Sequence, residues 1–188
     1  DQSIDWARSD YDPYGRTKKF AEHMAFELLP EVPKTIFRPS IVMGDSRRAS
    51  TTQFDMVGAF CGLARLPIVP LDRHTRLDIV NADFVGEAIA RLHLKDETQW
   101  ERYHLSSGTR TYCTPEQLGE ALSSVGMGFR LLPSAERAFA AGVRGLNRFP
   151  RGSKAQRVGA LLKVFWPYIT FDTLFDNTRV CTELGIEP

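Results

Sequence analysis

Apolar positions recur along the chain in two rhythms: about one in four over some stretches, and short unbroken runs in others. Tyr14 to Leu29 contains no breaker, Pro13 suits a first helical turn, and Pro30 closes the segment. Phe20, Met24, Ala25 and Leu28 recur there at offsets of four, five and eight, which puts them on one helical face. Lys34 to Val42 reads as a buried strand that Pro39 interrupts or ends. After Gly44-Asp45-Ser46 the pattern predicts a helix over Phe54 to Arg65 and a strand over Leu77 to Val80. Asp83 is placed to cap a helix from Phe84 to Leu94, where Val85, Ala88, Ile89 and Leu92 keep helical spacing. Tyr103 to Leu105 is a brief strand, and Thr114, Pro115 and Gln117 spell a helix start with a capping box. Phe129 to Leu132 is a further strand. From Pro133 the pattern turns helical, with breaks expected at Pro150 and Pro167.

Strands alternating with helices predict an α/β fold with a mostly parallel sheet. The 188 residues are enough for one domain with a sizeable core. Lys and Arg number 24 against 23 acidic residues, a net charge of +1, so bulk charge names no nucleic-acid or membrane partner. No apolar run approaches the roughly 18 residues of a membrane span, and nothing at the start has the form of a signal peptide. Cys61, Cys113 and Cys181 are too far apart for a short-spaced zinc site or a disulfide framework, so a reducing cytoplasm is the default. His23, His74, His93 and His104 share no ligand spacing, and no metal site is expected. Without a Gly-x-Ser-x-Gly elbow, Ser46 does not point to a serine hydrolase. The chain opens at Asp1, without Met and in polar text, as a piece of a longer protein would.

Tyr14-Gly15-Arg16-Thr17-Lys18 sets a phenol and an ammonium four residues apart at a helix start, where both side chains reach one point. A neighbouring cation favours the phenolate and makes the phenol a better proton donor, suited to a carbonyl oxygen as hydride reaches its carbon. On spacing alone a solvated helix end is the favoured reading.

Four motifs decide between these readings. Pro13 to Lys18 with Ala21-Glu22 resembles the active-site helix of the extended short-chain dehydrogenases/reductases. Phe37 to Ser46 resembles the strand and loop that approach the nicotinamide in that family. Leu77 to Val85 is similar to its strand-to-helix junction, and Tyr103 to Gly108 to its late strand. They occur in the family's order from Asp12 to Gly108. The Gly-Asp-Ser ending, with Tyr168 to Asn177, most resembles the fatty acyl-coenzyme A reductase and thioester reductase branch.

The resemblance implies the C-terminal part of a Rossmann-type parallel sheet, about residues 1–45 and 77–110, with a smaller, mostly helical substrate-binding part, about 46–76 and 111–188. It makes Tyr14 the proton donor and Lys18 its partner and a ligand of the nicotinamide ribose. Pro39, Ser40 and Ile41 would line the nicotinamide end, largely through backbone contacts. The implied reaction is NADPH-dependent reduction of an acyl thioester or related carbonyl on a small-molecule or carrier-bound substrate, with NADH as the alternative cofactor. Nucleotide-sugar epimerases or dehydratases and hydroxysteroid-type dehydrogenases are the competing enzymes, and a non-catalytic remnant or binding module is the competing class. The family's glycine-rich phosphate turn does not occur in this chain, and Ser3 and Ser9 lie too near Tyr14 in sequence for the family's catalytic Ser or Thr. The chain alone is therefore expected to be inactive.

Arg130 to Lys163 carries eight basic residues and one acid, Glu136, with Arg137, Arg144 and Arg148 on one helical stripe. This segment reads first as a solvated face offsetting the acids of 1–12 and 170–188. A surface for coenzyme A, a phosphopantetheine carrier or an anionic membrane is the less favoured reading. Trp166 to Phe171 and Phe54 to Arg65 read as packing before acyl pocket. No nucleic-acid partner is expected, and the oligomeric state is not legible.

Overall fold

The computed structural model describes residues 13–48 and 62–188. Helix α1 spans Pro13–Leu28, and strands β1 (Ile36–Pro39) and β2 (Ile41–Val42) follow. Next come β3 (Ile68–Val69), β4 (Ile79–Val80), α2 (Ala82–His93) and β5 (Arg102–Leu105). Helix α3 (Pro115–Ser123), β6 (Arg130–Leu131), a 3-10 turn at Pro133–Ala135, α4 (Glu136–Leu146), α5 (Lys154–Thr170) and α6 (Thr178–Leu184) complete the order. The predicted helix over Phe54 to Arg65 lies mostly outside the described residues.

The strands pair β1 with β5, β2 with β4 and β3 with β6, all in parallel, as the alternating pattern predicts. Pro39 explains why one predicted strand became two. It has no N–H to offer the β4 side, so pairing there begins only at Ile41, while the β5 ladder runs on to Ser40. Ser40 N–H donates to Leu105 O at 3.0 Å on β5, whereas Ile41 N–H donates to Asp78 O at 3.1 Å beside β4.

Two apolar clusters form the interior. Val80, Phe84, Ala88, Leu92, Tyr103 and Leu105 pack with Val180 and Leu184 of α6. Leu63, Val69, Leu71 and Leu77 pack with Leu162 and Ile169 of α5. In the first cluster Tyr103 is fully buried, yet its hydroxyl donates to Glu183 and accepts from Trp100 N–H at 3.1 Å. Burial and the Glu183 carboxylate push this phenol up to about 12, so it stays neutral.

Three expectations change. Asp83 does not cap α2, because Asn81 occupies the N-cap position and the Asp83 carboxylate turns to Ser46 instead. Pro167 does not end the C-terminal helix, which runs on to Thr170. The apolar stripe of α1 is not buried: Phe20, Met24 and Leu28 are all exposed, and the helix is held through charged side chains. The capping box of α3 forms as predicted, with Gln117 N–H donating to Thr114 Oγ1 and Thr114 N–H to Gln117 Oε1.

Candidate active site

Tyr14 stands in the first turn of α1, 60% exposed, and Lys18 follows one turn later on the same face. The Lys18 ammonium lies over the phenol ring, 5.2 Å from its centroid. Thr17 Oγ1 donates to the Tyr14 carbonyl at 2.8 Å, turning that hydroxyl back onto the helix. The two groups therefore meet at one solvent-facing point.

The rest of α1 is anchored by an acid. Glu22, only 10% exposed at its side chain, accepts two bonds from Arg38, at 2.6 and 2.9 Å, and one from Arg102 at 2.9 Å. Burial alone would raise its pKa, but the two guanidinium groups hold it below the usual carboxylate value. Arg102 also lies over the Phe26 ring, 4.1 Å from the centroid. Arg38 Nη1 sits 3.4 Å from His104 Nε2, and burial, reinforced by the Arg38 charge, pushes His104 below its ordinary value. Because Arg38 immediately precedes Pro39, the Glu22 bridge fixes the Tyr14–Lys18 helix relative to the end of β1. The sequence carried a signal for it, an acid on α1 and an arginine inside each of two strands, but not the pairing.

At Pro39-Ser40-Ile41 the backbone donors are already used: proline has none, and the N–H groups of Ser40 and Ile41 are bonded to neighbouring strands. What remains is the Ser40 hydroxyl, which is buried and has no hydrogen-bond partner among the described residues. A buried unpaired hydroxyl costs stability. It leaves one polar atom for a ligand where the nicotinamide end was expected.

Asp78 supports this stretch from behind. Its Oδ1 accepts from Ser107 N–H at 2.8 Å and Ser107 Oγ at 2.9 Å, and its Oδ2 accepts from Phe175 N–H at 2.9 Å. One buried carboxylate thus ties β4 to the loop after β5 and to the C-terminal segment. Asn177 Nδ2 bonds Ser106 O at 3.0 Å in the same place. Its side chain lies so close to Gly108 (φ +66°) that any Cβ there would collide with it. Beyond Met43, Gly44 (φ +63°) turns the chain so that Ser46 N–H and Oγ reach Asp83 at 2.9 and 2.5 Å. These bonds hold the Asp83 carboxyl below its usual value.

Met43 and Ile79, at the ends of β2 and β4, also face an apolar cavity of about 160 Å³. Its other walls include Leu63, Leu118, Phe129 and Ile169. The size is close to that of an apolar cavity that stays dry and binds benzene, roughly 150 Å³.

Residues 5–89 match the family model described as "Male sterility protein". Over that stretch the chain is similar to the reductase branch of the extended short-chain dehydrogenases/reductases. The matched stretch holds Tyr14, Lys18, Glu22, Pro39, Ser40, Ile41, Asp78 and Asp83. Among solved structures, the chain shares its fold with the terminal R domain from the myxalamid PKS-NRPS biosynthetic pathway, at a TM-score of 0.72 and 23% identity. The match covers 92% of this chain and 43% of that one, so the chain spans less than half the length of its structural relative. No curated protein matches the sequence.

Proposed function

We propose that this protein contributes the proton-donating helix and the nicotinamide-side strand of an NADPH-dependent reductase acting on an acyl thioester. The observation that carries the reading is the Tyr14–Lys18 pair, assembled at one exposed point of a reductase-branch sequence. The buried, unpartnered Ser40 hydroxyl supports it, since the residues present fit the nicotinamide end of the cofactor. When bound, the reduced nicotinamide supplies hydride.

The chain's own residues then handle charge and protons. As hydride adds to the thioester carbon, the carbonyl electron pair moves to oxygen. Tyr14 gives that oxygen its proton, and Lys18 stabilises the negative charge left on the phenol. The hemithioacetal so formed then collapses: its carbon–sulfur bond breaks, its hydroxyl proton passes to the departing sulfur, thiol and aldehyde separate, and solvent reprotonates Tyr14. The apolar cavity beside Met43 and Ile79 favours an acyl chain over a nucleotide sugar, because its lining offers a sugar no hydrogen bonds.

The test is Tyr14→Phe in the protein with its natural flanking sequence, assayed by NADPH oxidation with an acyl thioester. Turnover is expected to fall by about two to four orders of magnitude, the usual scale for general acid catalysis, with NADPH affinity nearly unchanged. Turnover equal to wild type removes Tyr14 from the mechanism. Lys18→Ala is expected to weaken both turnover and NADPH binding, and unchanged NADPH binding would remove its ribose contact.

A further inference from the structure

The α4–α5 hairpin, with Arg130 of β6 just before it, carries a positive charge that meets no acidic partner among the described residues. Arg130, Arg137, Arg144, Arg148, Arg151, Lys154, Arg157 and Lys163 are all exposed, and none makes a salt bridge among the described residues. No acid occurs between Arg137 and Phe171. The bland explanation was that this segment offsets acids near the C-terminus. Those acids are engaged elsewhere: Asp172 with Arg76, Glu183 with Lys95, Glu187 with Arg110, and Asp176 with the N–H and hydroxyl of Thr178. The acids of 1–12 lie outside the described residues.

The hairpin is also a formed structure. Gly159 lets α5 approach α4 so closely that a Cβ there would sit 2.7 Å from Leu146 Cβ. Ser153 caps α5 by accepting from Gln156 N–H, and Ser153 N–H closes a turn onto Pro150 O at 3.1 Å. At the tip of this braced turn, Phe149 is 53% exposed and lies between Arg148 and Arg151, with Lys154 next. Val158 and Val164 are exposed further along α5, beside Arg157 and Lys163. A free anion or a nucleic-acid backbone needs the cations but makes no use of aliphatic side chains beside them. The boundary between lipid headgroups and acyl chains uses both.

We infer that the α4–α5 hairpin docks this protein on an anionic lipid surface, with the basic residues on headgroup phosphates and carboxylates and Phe149 seated at the acyl boundary. None of the described helices is long and apolar enough to cross a membrane, so the contact is interfacial. It stands independently of the catalytic reading.

The experiment is co-sedimentation of the chain with phosphatidylcholine vesicles, with and without phosphatidylserine, across a salt series. Binding is expected only with phosphatidylserine and is expected to weaken as salt rises. Each basic charge near such a surface is worth about fivefold in partitioning, the equivalent of about 1 kcal/mol. The double variant Arg148→Glu, Arg151→Glu is therefore expected to lower binding by about two orders of magnitude or more. Phe149→Ser leaves the charge intact and is expected to lower it about tenfold, while Arg73→Glu, an exposed arginine outside the hairpin, leaves it unchanged. All of these side chains are exposed, and circular dichroism verifies that the variants fold. Equal binding to pure phosphatidylcholine overturns the proposal, as does anionic-vesicle binding that survives the double reversal. So does an absence of vesicle binding alongside retention on coenzyme A, polyglutamate or DNA, which would reassign the surface to that polyanion.

Discussion

Asp78 is where the structure makes its most quantitative claim. The residue is only 6% exposed, and its carboxylate would be intolerable there without partners, yet three donors converge on it. Hydrogen bonds to a charged group contribute about 1.5–3 kcal/mol each, and a buried donor left alone costs about 1–3 kcal/mol. The Ser107 hydroxyl can rotate to another acceptor, which discounts one of the three. Asp78→Ala is accordingly expected to cost about 2–6 kcal/mol, two stranded N–H donors at about 1–3 kcal/mol each. Asp78→Asn separates the contributions. Its amide oxygen can keep both bonds from Ser107, but its NH₂ then faces the Phe175 N–H, donor against donor, for a loss of about 1–3 kcal/mol.

Urea unfolding measures both. With a slope of about 2 kcal/mol per molar, the Ala variant is expected to lower the midpoint by about 2 M and the Asn variant by about half that. Out of a total of about 5–15 kcal/mol, the Ala loss would be visible at room temperature. A loss below about 1 kcal/mol for Ala would refute the hub. An Asn variant as damaged as Ala would refute the bond-by-bond account, leaving the charge itself as the quantity that matters.

Gly108→Ala and Gly44→Ala form a matched pair, since both glycines have positive φ but only Gly108 has a side chain against it. Thermal unfolding is expected to show a loss of about 1–2 kcal/mol at Gly44 from the left-handed backbone alone, and a clearly larger one at Gly108; equal losses would remove the Asn177 contact from the argument. Glu22 has its folded pKa held below 4.5, so its stabilisation is complete above about pH 4.5 and is lost as pH falls through the lower folded value. Glu22→Gln is expected to be less stable than wild type at pH 7 and to lose less on acidification, and parallel stability–pH curves would contradict this. His104, with a folded pKa below 6.5, keeps its neutral-state stability above pH 6.5 and loses it as pH falls toward the folded value; His104→Gln is expected to flatten that interval in the same titration. Thr114→Ala removes the capping box of α3 and is expected to cost about 1 kcal/mol by urea unfolding.

How far the sequence carried these conclusions depends on how local each cause is. The Tyr14–Lys18 pair needed only the helical repeat, and the box at Thr114 and Gln117 needed only three intervening positions, so both were readable directly. Pro39 announced a break, and the missing N–H that made it legible also explains why pairing on the β4 side begins only at Ile41. Asp83 misled because an N-cap is a local competition, and Ser46, 37 residues away, won the carboxylate instead. The α1 stripe misled because periodicity shows which residues share a face but not whether anything covers it. The unpartnered state of the Ser40 hydroxyl and the apolar cavity were less legible, since each is defined by atoms from several elements: the segments that supply Leu63 and Ile169 to the cavity read as packing before pocket.

Asp78 lies between these cases. Its donors come from 29 and 97 residues away, and no pattern names them. Still, an acid inside the run Leu77-Asp78-Ile79-Val80 is a contradiction that folding must resolve. Either the run is not buried, or distant N–H groups must arrive to replace the water that the carboxylate loses. Val80 at 2% exposure closes the first option. The sequence therefore implied that a tertiary hub exists at Asp78, and the fold supplied Ser107 and Phe175 as its members.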